Sequence, residues 1–265
     1  MVLLLGDCTC AAVKPEAKTM DMQRPGWTLV WHDEFDKDGA PDPASWTPEV
    51  GKVRNNELQY YTDRRAENAR VENGHLVLEV RKEPFQGAEY TSASVTTQQS
   101  VSWTYGRIEA RAKIPSGRGL WPAIWTLGTN IPTVNWPTCG EIDIMENVGF
   151  DHDKVVCTVH TIKPGSKGEH ASRGNALDTP TPSADFHVYS VEWTPTEMVF
   201  LFDEREVFRF PKDPKSSEQW VFDAPQYLIL NVAYGGEWGG QQGVDDTVLP
   251  QQMLVDYVRV YQRPR

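Results

Sequence analysis

From Trp27 onward the chain passes through one short segment after another rich in β-branched and aromatic residues, and no segment shows a long helical period. TLVWHDEF, HLVLEVRKE, YTSASVTT, YGRIEARAKI, EIDIMEN, VVCTVHT, FHVYSVEW, EMVFLFD, EVFRF, YLILNVA and MLVDYVRVYQ are separated by clusters of Gly, Pro, Asn and Asp. Side chains branched at Cβ suit a pleated, half-buried surface, and the intervening clusters turn the chain between such surfaces. Many short strands at close spacing indicate a sandwich or jelly roll. With 265 residues, 39% of them hydrophobic, the chain can bury one substantial core, so one domain is expected over residues 26–265.

Residues 1–25 read as a separate N-terminal tail: MVLLLG, then a polar stretch with Lys and Glu up to Pro25. The apolar run falls short of the roughly 7–15 residues of a secretory core segment and lacks a basic stretch before it, so at most a remnant of an export signal is expected. Leu5, Gly6, Asp7 and Cys8 faintly resemble a lipoprotein cleavage site, although Asp7 stands where a small residue belongs. Nothing later in the chain is apolar for long enough to span a membrane as a helix. A net charge of −11 and a pI near 5.0 argue against nucleic acid and anionic membrane surfaces as partners.

One strand carries an unusual load. In GEIDIMEN, Glu141, Asp143 and Glu146 alternate with Ile142 and Ile144, the period-two pattern of a strand with one apolar and one acidic face. Strict alternation would put the third acid at 145, where Met145 stands instead. A β-bulge absorbing Met145 returns Glu146 to the face of Glu141 and Asp143, and bulges beside active sites re-aim side chains in this way. Glu141 and Glu146 then lie about four strand steps apart, roughly 13 Å between Cα atoms. Side chains leaning together would bring the carboxyl groups to about 5–6 Å, close to the spacing of retaining rather than inverting glycosidases. Asp143, between them, can share a proton with either and keep an acid distinct from an ionised nucleophile. Periodicity alone leaves a catalytic row, a divalent-cation site and a plain acidic face all open.

Parity furnishes the neighbouring strand. VVCTVHT sends Val155, Cys157 and Val159 to the core and Val156, Thr158 and His160 to the acidic face, where His160 can hydrogen-bond the substrate or the acid/base. Trp121 and Trp125 in LWPAIW, four apart, share one strand face or flank a turn, and Trp136 belongs to a Pro-rich loop with little core to join. The Gly-rich segment Tyr234 to Gly243 reads as a mobile loop from which Glu237 or Trp238 reaches a ligand. Of the four cysteines, Cys8 and Cys10 are too close together for an ordinary bridge. Cys139 and Cys157 would be about six residues out of register across a hairpin turning near Asp151, so free thiols are expected in the folded domain.

GEIDIMEN, preceded by WPAIW and followed by TVHT, closely resembles the active-site strand of glycoside hydrolase family 16, in its bacterial laminarinase branch. HDEF (His32 to Phe35), NNELQYYT (Asn55 to Thr62) and YGRIEARAKIP (Tyr105 to Pro115) extend the resemblance from about Trp27 to Tyr261. It implies an all-β jelly roll of two stacked antiparallel sheets with a concave substrate cleft. The implied activity is endo-acting, retaining hydrolysis of β-1,3-glucan, with Glu141 as nucleophile and Glu146 as acid/base.

By the same resemblance, tryptophans of the Trp121–Trp125 segment lie against glucose rings and Asn55 hydrogen-bonds sugar hydroxyls. A structural calcium ion is implied on the far side, held by the backbone carbonyls of Glu34 and Gly74 and the side chain of Asp256, with waters completing its shell. A β-glucan partner, a monomer, and an extracellular or periplasmic location follow from such a substrate. Rivals are a same-fold hydrolase of mixed-linkage β-glucan or red-algal galactan, and a non-catalytic glucan-binding protein. Lichenases of the family typically read EIDIE, so Met145 argues against them, and binding proteins typically lose the paired glutamates. One departure stands out: after YTSA the family often has Arg where this chain has Ser94 and Val95, so a substrate contact or ion pair is expected to be missing.

Overall fold

A computed structural model describes residues 22–179 and 182–264. In chain order its strands are β1 (Thr28–Asp33), β2 (Thr47–Pro48), β3 (Gln59–Tyr61), β4 (Ala69–Glu72), β5 (His75–Phe85), β6 (Ala88–Ser92), β7 (Ser94–Thr96), β8 (Gly106–Lys113) and β9 (Leu120–Gly128). They continue with β10 (Glu141–Glu146), β11 (Lys154–Ile162), β12 (His170–Asp178), β13 (His187–Trp193), β14 (Glu197–Phe202), β15 (Arg205–Pro211), β16 (Gln226–Tyr234) and β17 (Gln251–Gln262). Between β9 and β10 lies a single helical turn, α1 (Ile131–Val134).

Two sheets share these strands. One runs β12-β11-β10-β9-β16-β7-β2; the other runs β15-β14-β13-β8-β17-β5-β6-β3, with β1 against β17 and β4 against β5. Pairing is antiparallel except between β3 and β6, which run parallel, a departure from the all-antiparallel expectation. The core lies between the sheets: Ile142, Ile144 and Met145 of β10 and Val155, Cys157 and Val159 of β11 belong to one buried cluster with Tyr189, Val191 and Phe200 of the other sheet. Burying each large apolar side chain contributes about 1.5–3 kcal/mol, so the inward face of the acidic strand anchors what its outward face presents.

YTSASVTT reads as one strand but serves two. Ala93 breaks it, β6 pairing with β5 and β7 with β16 in the opposite sheet. The edge strand β12, HASRGNALD, had no counterpart among the sequence-predicted strands, because most of its side chains are exposed and carry no apolar alternation. Cys139 and Cys157 are buried and free, as expected; Cys8 and Cys10, with the proposed tail residues 1–21, lie outside the described residues.

Candidate active site

The predicted bulge is present and its anatomy is specific. Against β11, Asp143 pairs with Thr158 and Glu146 with Val156, so three steps on β10 face two on its partner. Against β9, Asp143 pairs with Trp125 and Met145 with Ile124, which leaves Ile144 as the residue without an opposite number. The extra residue is therefore taken up at Ile144–Met145 rather than at Met145 alone, and both side chains enter the core. Glu146 thereby rejoins Glu141 and Asp143. Their partners on β11, His160 and Val156, are four residues apart, as are Leu127 and Ala123 on β9, in agreement with the four-step spacing.

The three acids floor a cavity of about 800 Å³ on the side of the sheet away from the core. Asn55, Trp121, Trp125, Trp136, His160 and Trp238 all reach its wall, so every expected substrate-binding residue is brought together. The tryptophans do more than offer ring faces. Trp121 Nε1 donates to Glu146 Oε1 at 3.0 Å, and Trp136 Nε1 donates to Glu141 Oε2 at 2.7 Å. Each end of the row thus holds an indole N–H. Trp125 is buried and donates to Asn231 Oδ1 at 2.7 Å, which makes it a wall of the cleft rather than a free platform. Trp238 meets Trp121 edge to face, ring centroids 5.5 Å apart.

His160 stands directly across from Glu141. Its Nε2 is 3.2 Å from Asp143 Oδ2, in ion-pair range though off the line of a hydrogen bond, and 3.9 Å from Glu141 Oε1. It therefore stands at the Glu141 end of the row. Its Nδ1 lies 2.9 Å from Nε2 of His170 on β12, and Trp136 covers both imidazoles, 6.1 and 4.8 Å between centroids.

Electrostatics follow from burial. Desolvation, reinforced by the Asp143 charge, pushes the Glu141 carboxyl up to about 8, against the lowering pull of His160 and the Trp136 N–H. Desolvation and the Glu146 charge raise Asp143 well above the carboxylate range. Desolvation and the Glu141 charge push Glu146 up to about 7, while the Trp121 N–H draws it down. Carboxyl groups this close titrate as a unit, so the row keeps a proton through neutrality. Of the two glutamates the higher value falls on Glu141, so that proton rests at the Glu141 end and must pass along the row to Glu146 before Glu141 can act as an ionised nucleophile. Trp121→Phe keeps a ring and removes the donor that favours ionised Glu146, so Glu146 should titrate higher. The alkaline limb of the kcat/KM profile should move up by as much as about one unit. An unmoved limb would mean that the indole does not tune the acid.

Several site residues escaped sequence reasoning. Asn231, an amide inside the apolar run YLILNVA, receives Trp125 and donates to the Tyr61 hydroxyl at 3.0 Å. Buried Glu57 gathers Gln59, Tyr61 and Asn55. Arg54 lies over the Trp125 ring, 4.8 Å from its centroid, and pairs with Glu49. Ser94, which stands where the family often has Arg, donates to the same Glu49 at 2.6 Å, so an arginine–carboxylate pair exists on this side of the cleft, supplied from another segment. The Gly-rich loop is pinned rather than loose: Gly235 N donates to Gly119 O, Glu237 N to Asn55 O and Gly240 N to Gly236 O. Gly239 belongs there because a Cβ would come within 2.7 Å of Gly235 O and 3.0 Å of Trp121 Cβ.

On the far side, β1 ends at Asp33 opposite Val258, and Leu76, just after Gly74, pairs with Val255. The strands thus bring Glu34, Gly74 and Asp256 to one end of the sheet, with Asp256 where β17 slips register against β8. Two carbonyls and a carboxylate are the oxygen donors a hard cation prefers. Among the described residues, Asp256 Oδ2 accepts from Arg111 at 2.7 Å and Oδ1 stands 3.8 Å from His75 Nε2, beyond hydrogen-bond range.

Known proteins resemble this chain in sequence and fold. The model of the glycosyl hydrolases family 16 matches residues 56–259. A β-glucanase of Rhodothermus marinus is 52% identical over 246 residues, 89% of this chain and 86% of that protein. The solved laminarinase from the same organism superposes with a TM-score of 0.85 at 49% identity, covering 92% of this chain and all (100%) of that one. SCLam, a non-specific endo-β-1,3(4)-glucanase, gives 0.83 at 45% identity over 91% of this chain and 93% of its own. Two-sheet architecture, a bulged acidic strand under an aromatic cleft, and likeness over most of the described chain lead to one assignment: the chain belongs to glycosyl hydrolase family 16.

Proposed function

We infer that this protein is an endo-acting, retaining β-1,3-glucanase of the laminarinase type. The observation that carries the reading is the intact acid row: both glutamates on one face of β10, four steps apart, each in contact with an indole N–H at the floor of an open cleft. Glu141 attacks the anomeric carbon while Glu146 protonates the departing glycosidic oxygen. Glu146, now ionised, then takes a proton from the water that hydrolyses the glycosyl–enzyme bond. Asp143 exchanges hydrogen-bonding between its neighbours as charge moves along the row. Trp238, the Trp121 ring and Asn55 flank the sugar path, and a cleft lined from several strands and loops suits internal cleavage of a polymer.

A second substrate, mixed-linkage β-glucan, is favoured by the likeness to SCLam, named as acting on both linkages. Reducing-sugar release from laminarin, lichenan, agarose and carrageenan in parallel tests the reading: laminarin should be cleaved fastest. Activity on agarose without activity on laminarin would overturn it. A polymeric glucan substrate further supports action outside the cytoplasm, and among the described residues no helix is long and apolar enough to cross a membrane.

A calcium ion held by the Glu34 and Gly74 carbonyls and the Asp256 carboxylate would tie β1, β5 and β17 together, with a role in stability alone. Chelation should lower Tm by roughly 5–10 °C if the ion is normally well above its Kd, and leave initial rates at 25 °C unchanged. Asp256→Asn should abolish that sensitivity. A Tm indifferent to chelator would remove the ion from the account.

A further inference from the structure

We propose that the cleft contains a binding site for a divalent transition-metal ion, zinc above all, formed by Glu141, Asp143 and His160. Occupancy of this site shuts off hydrolysis.

The donor atoms of these three residues lie within 4.8 Å of one another. The separations from His160 Nε2, 3.2 Å to Asp143 Oδ2 and 3.9 Å to Glu141 Oε1, approach the roughly 3.3 Å between ligands that sit about 2.0–2.1 Å from a tetrahedral zinc ion. In addition, Asp143 Oδ2 is buried and accepts no hydrogen bond, its near neighbour being the His160 Nε2 at 3.2 Å, so it points into this cluster. A buried carboxylate oxygen left in that condition is costly until a cation or a proton meets it.

The shell behind the ligands fits as well. His160 Nδ1 lies 2.9 Å from His170 Nε2. When His160 donates through Nδ1, its Nε2 lone pair faces the carboxylates, the orientation in which metal-binding histidines are held by a hydrogen bond on their other nitrogen. Trp136 lies against both rings and restrains them. One imidazole and two carboxylates suit zinc; calcium and magnesium, which want six or more oxygens, are poorly served. The fourth position opens into the cleft, where water completes the shell.

Inhibition rests on Glu141 being the nucleophile: an ion on its carboxylate occupies the space the anomeric carbon must enter. Zinc should then raise the apparent KM for laminarin in competitive fashion. Binding itself is independent of that reading and is measured by calorimetry, titrating zinc into the full-length protein supplied with calcium. The expected result is a single zinc ion per chain, weakened at least tenfold by His160→Asn, and by roughly ten- to a hundredfold by His170→Phe, which keeps a ring but removes the hydrogen-bond partner. Circular dichroism of both variants establishes that they fold. Absence of binding at millimolar zinc, or binding undiminished in folded His160→Asn, would overturn the site. Zinc binding by a protein that leaves every glucan uncleaved would instead overturn the proposed function and spare the site.

Discussion

Glu141→Gln should leave no measurable turnover, a loss on the order of 10⁴-fold or more, while glucan binding persists, because the amide keeps the shape of the carboxyl and loses only its nucleophilicity. Azide distinguishes the two glutamates. In Glu141→Ser the anion enters from the emptied nucleophile face and, with Glu146 still able to protonate the leaving oxygen, should restore cleavage and give an inverted glycosyl azide. Were Glu146→Ala to give that inverted product instead, the roles would be exchanged. The same Glu141→Gln variant reads the electrostatics of the row through stability. A carboxyl held up to about 8 in the folded protein, against an ordinary 4.5, binds a proton that the unfolded chain has released. The stability it lends is full below about 4.5 and is lost as pH rises through 8. Glutamine has no such proton to lose. Its Tm should match or exceed that of the wild type by a few degrees at pH 8–9, at about 2–4 °C per kcal/mol, with the gap closing in acid. A variant that melts lower at alkaline pH would show that the row is not under strain. Activity of the wild type should be bell-shaped in pH, with an acid limb above the usual carboxylate range.

Deleting Met145 should reduce laminarin hydrolysis by roughly 10²-fold or more, the scale of a displacement of about 1 Å among reacting groups, with the domain still folded. The deletion turns EIDIME into EIDIE and removes the two-against-one step by which β10 passes Thr158–Val156 on one side and Trp125–Ile124 on the other. A one-residue slip moves all later side chains to the other face, so the hairpin must either re-register away from His160 or draw Glu146 toward Asp143 and away from Trp121. Met145→Leu provides the control. It keeps chain length and buried volume, should cost less than about 1.5 kcal/mol, and should retain activity. Initial rates and thermal melts of the two variants decide the matter. A deletion variant with near wild-type rates would mean that the bulge does not position the acid.

How much of this was legible in the amino-acid order depended on whether a feature is written locally. The acid row and the cleft-facing parity of His160 were readable because a strand's alternation is a property of adjacent residues, and the misplaced Met145 betrayed the bulge. β12 was unreadable for the same reason in reverse: an edge strand with both faces wet shows no apolar period. The division of YTSASVTT at Ala93 depends on which sheet each half meets, a matter of partners far along the chain. Trp121 and Trp136 could be placed at the cleft, but not their indole N–H bonds to Glu146 and Glu141, which require the folded approach of separate segments. His170 and Arg54 were invisible likewise, since their neighbours are set by strand pairing and loop path rather than by spacing. Asn231 did leave a trace, a lone amide amid apolar residues that has to find partners when buried.

The acid row sits on β10, hydrogen-bonded along both sides to β9 and β11, whereas Asn55, Trp136 and Trp238 reach the cleft from connecting segments. On the proposed assignment, chemistry and selectivity are carried by parts of the chain with different tolerance for change. An insertion in a connection leaves the strand register untouched, while one within β10 should displace the acid row. Mutational trajectories toward new polysaccharides should therefore run along the rim, each step altering which sugar is admitted while the bond-breaking apparatus is inherited whole.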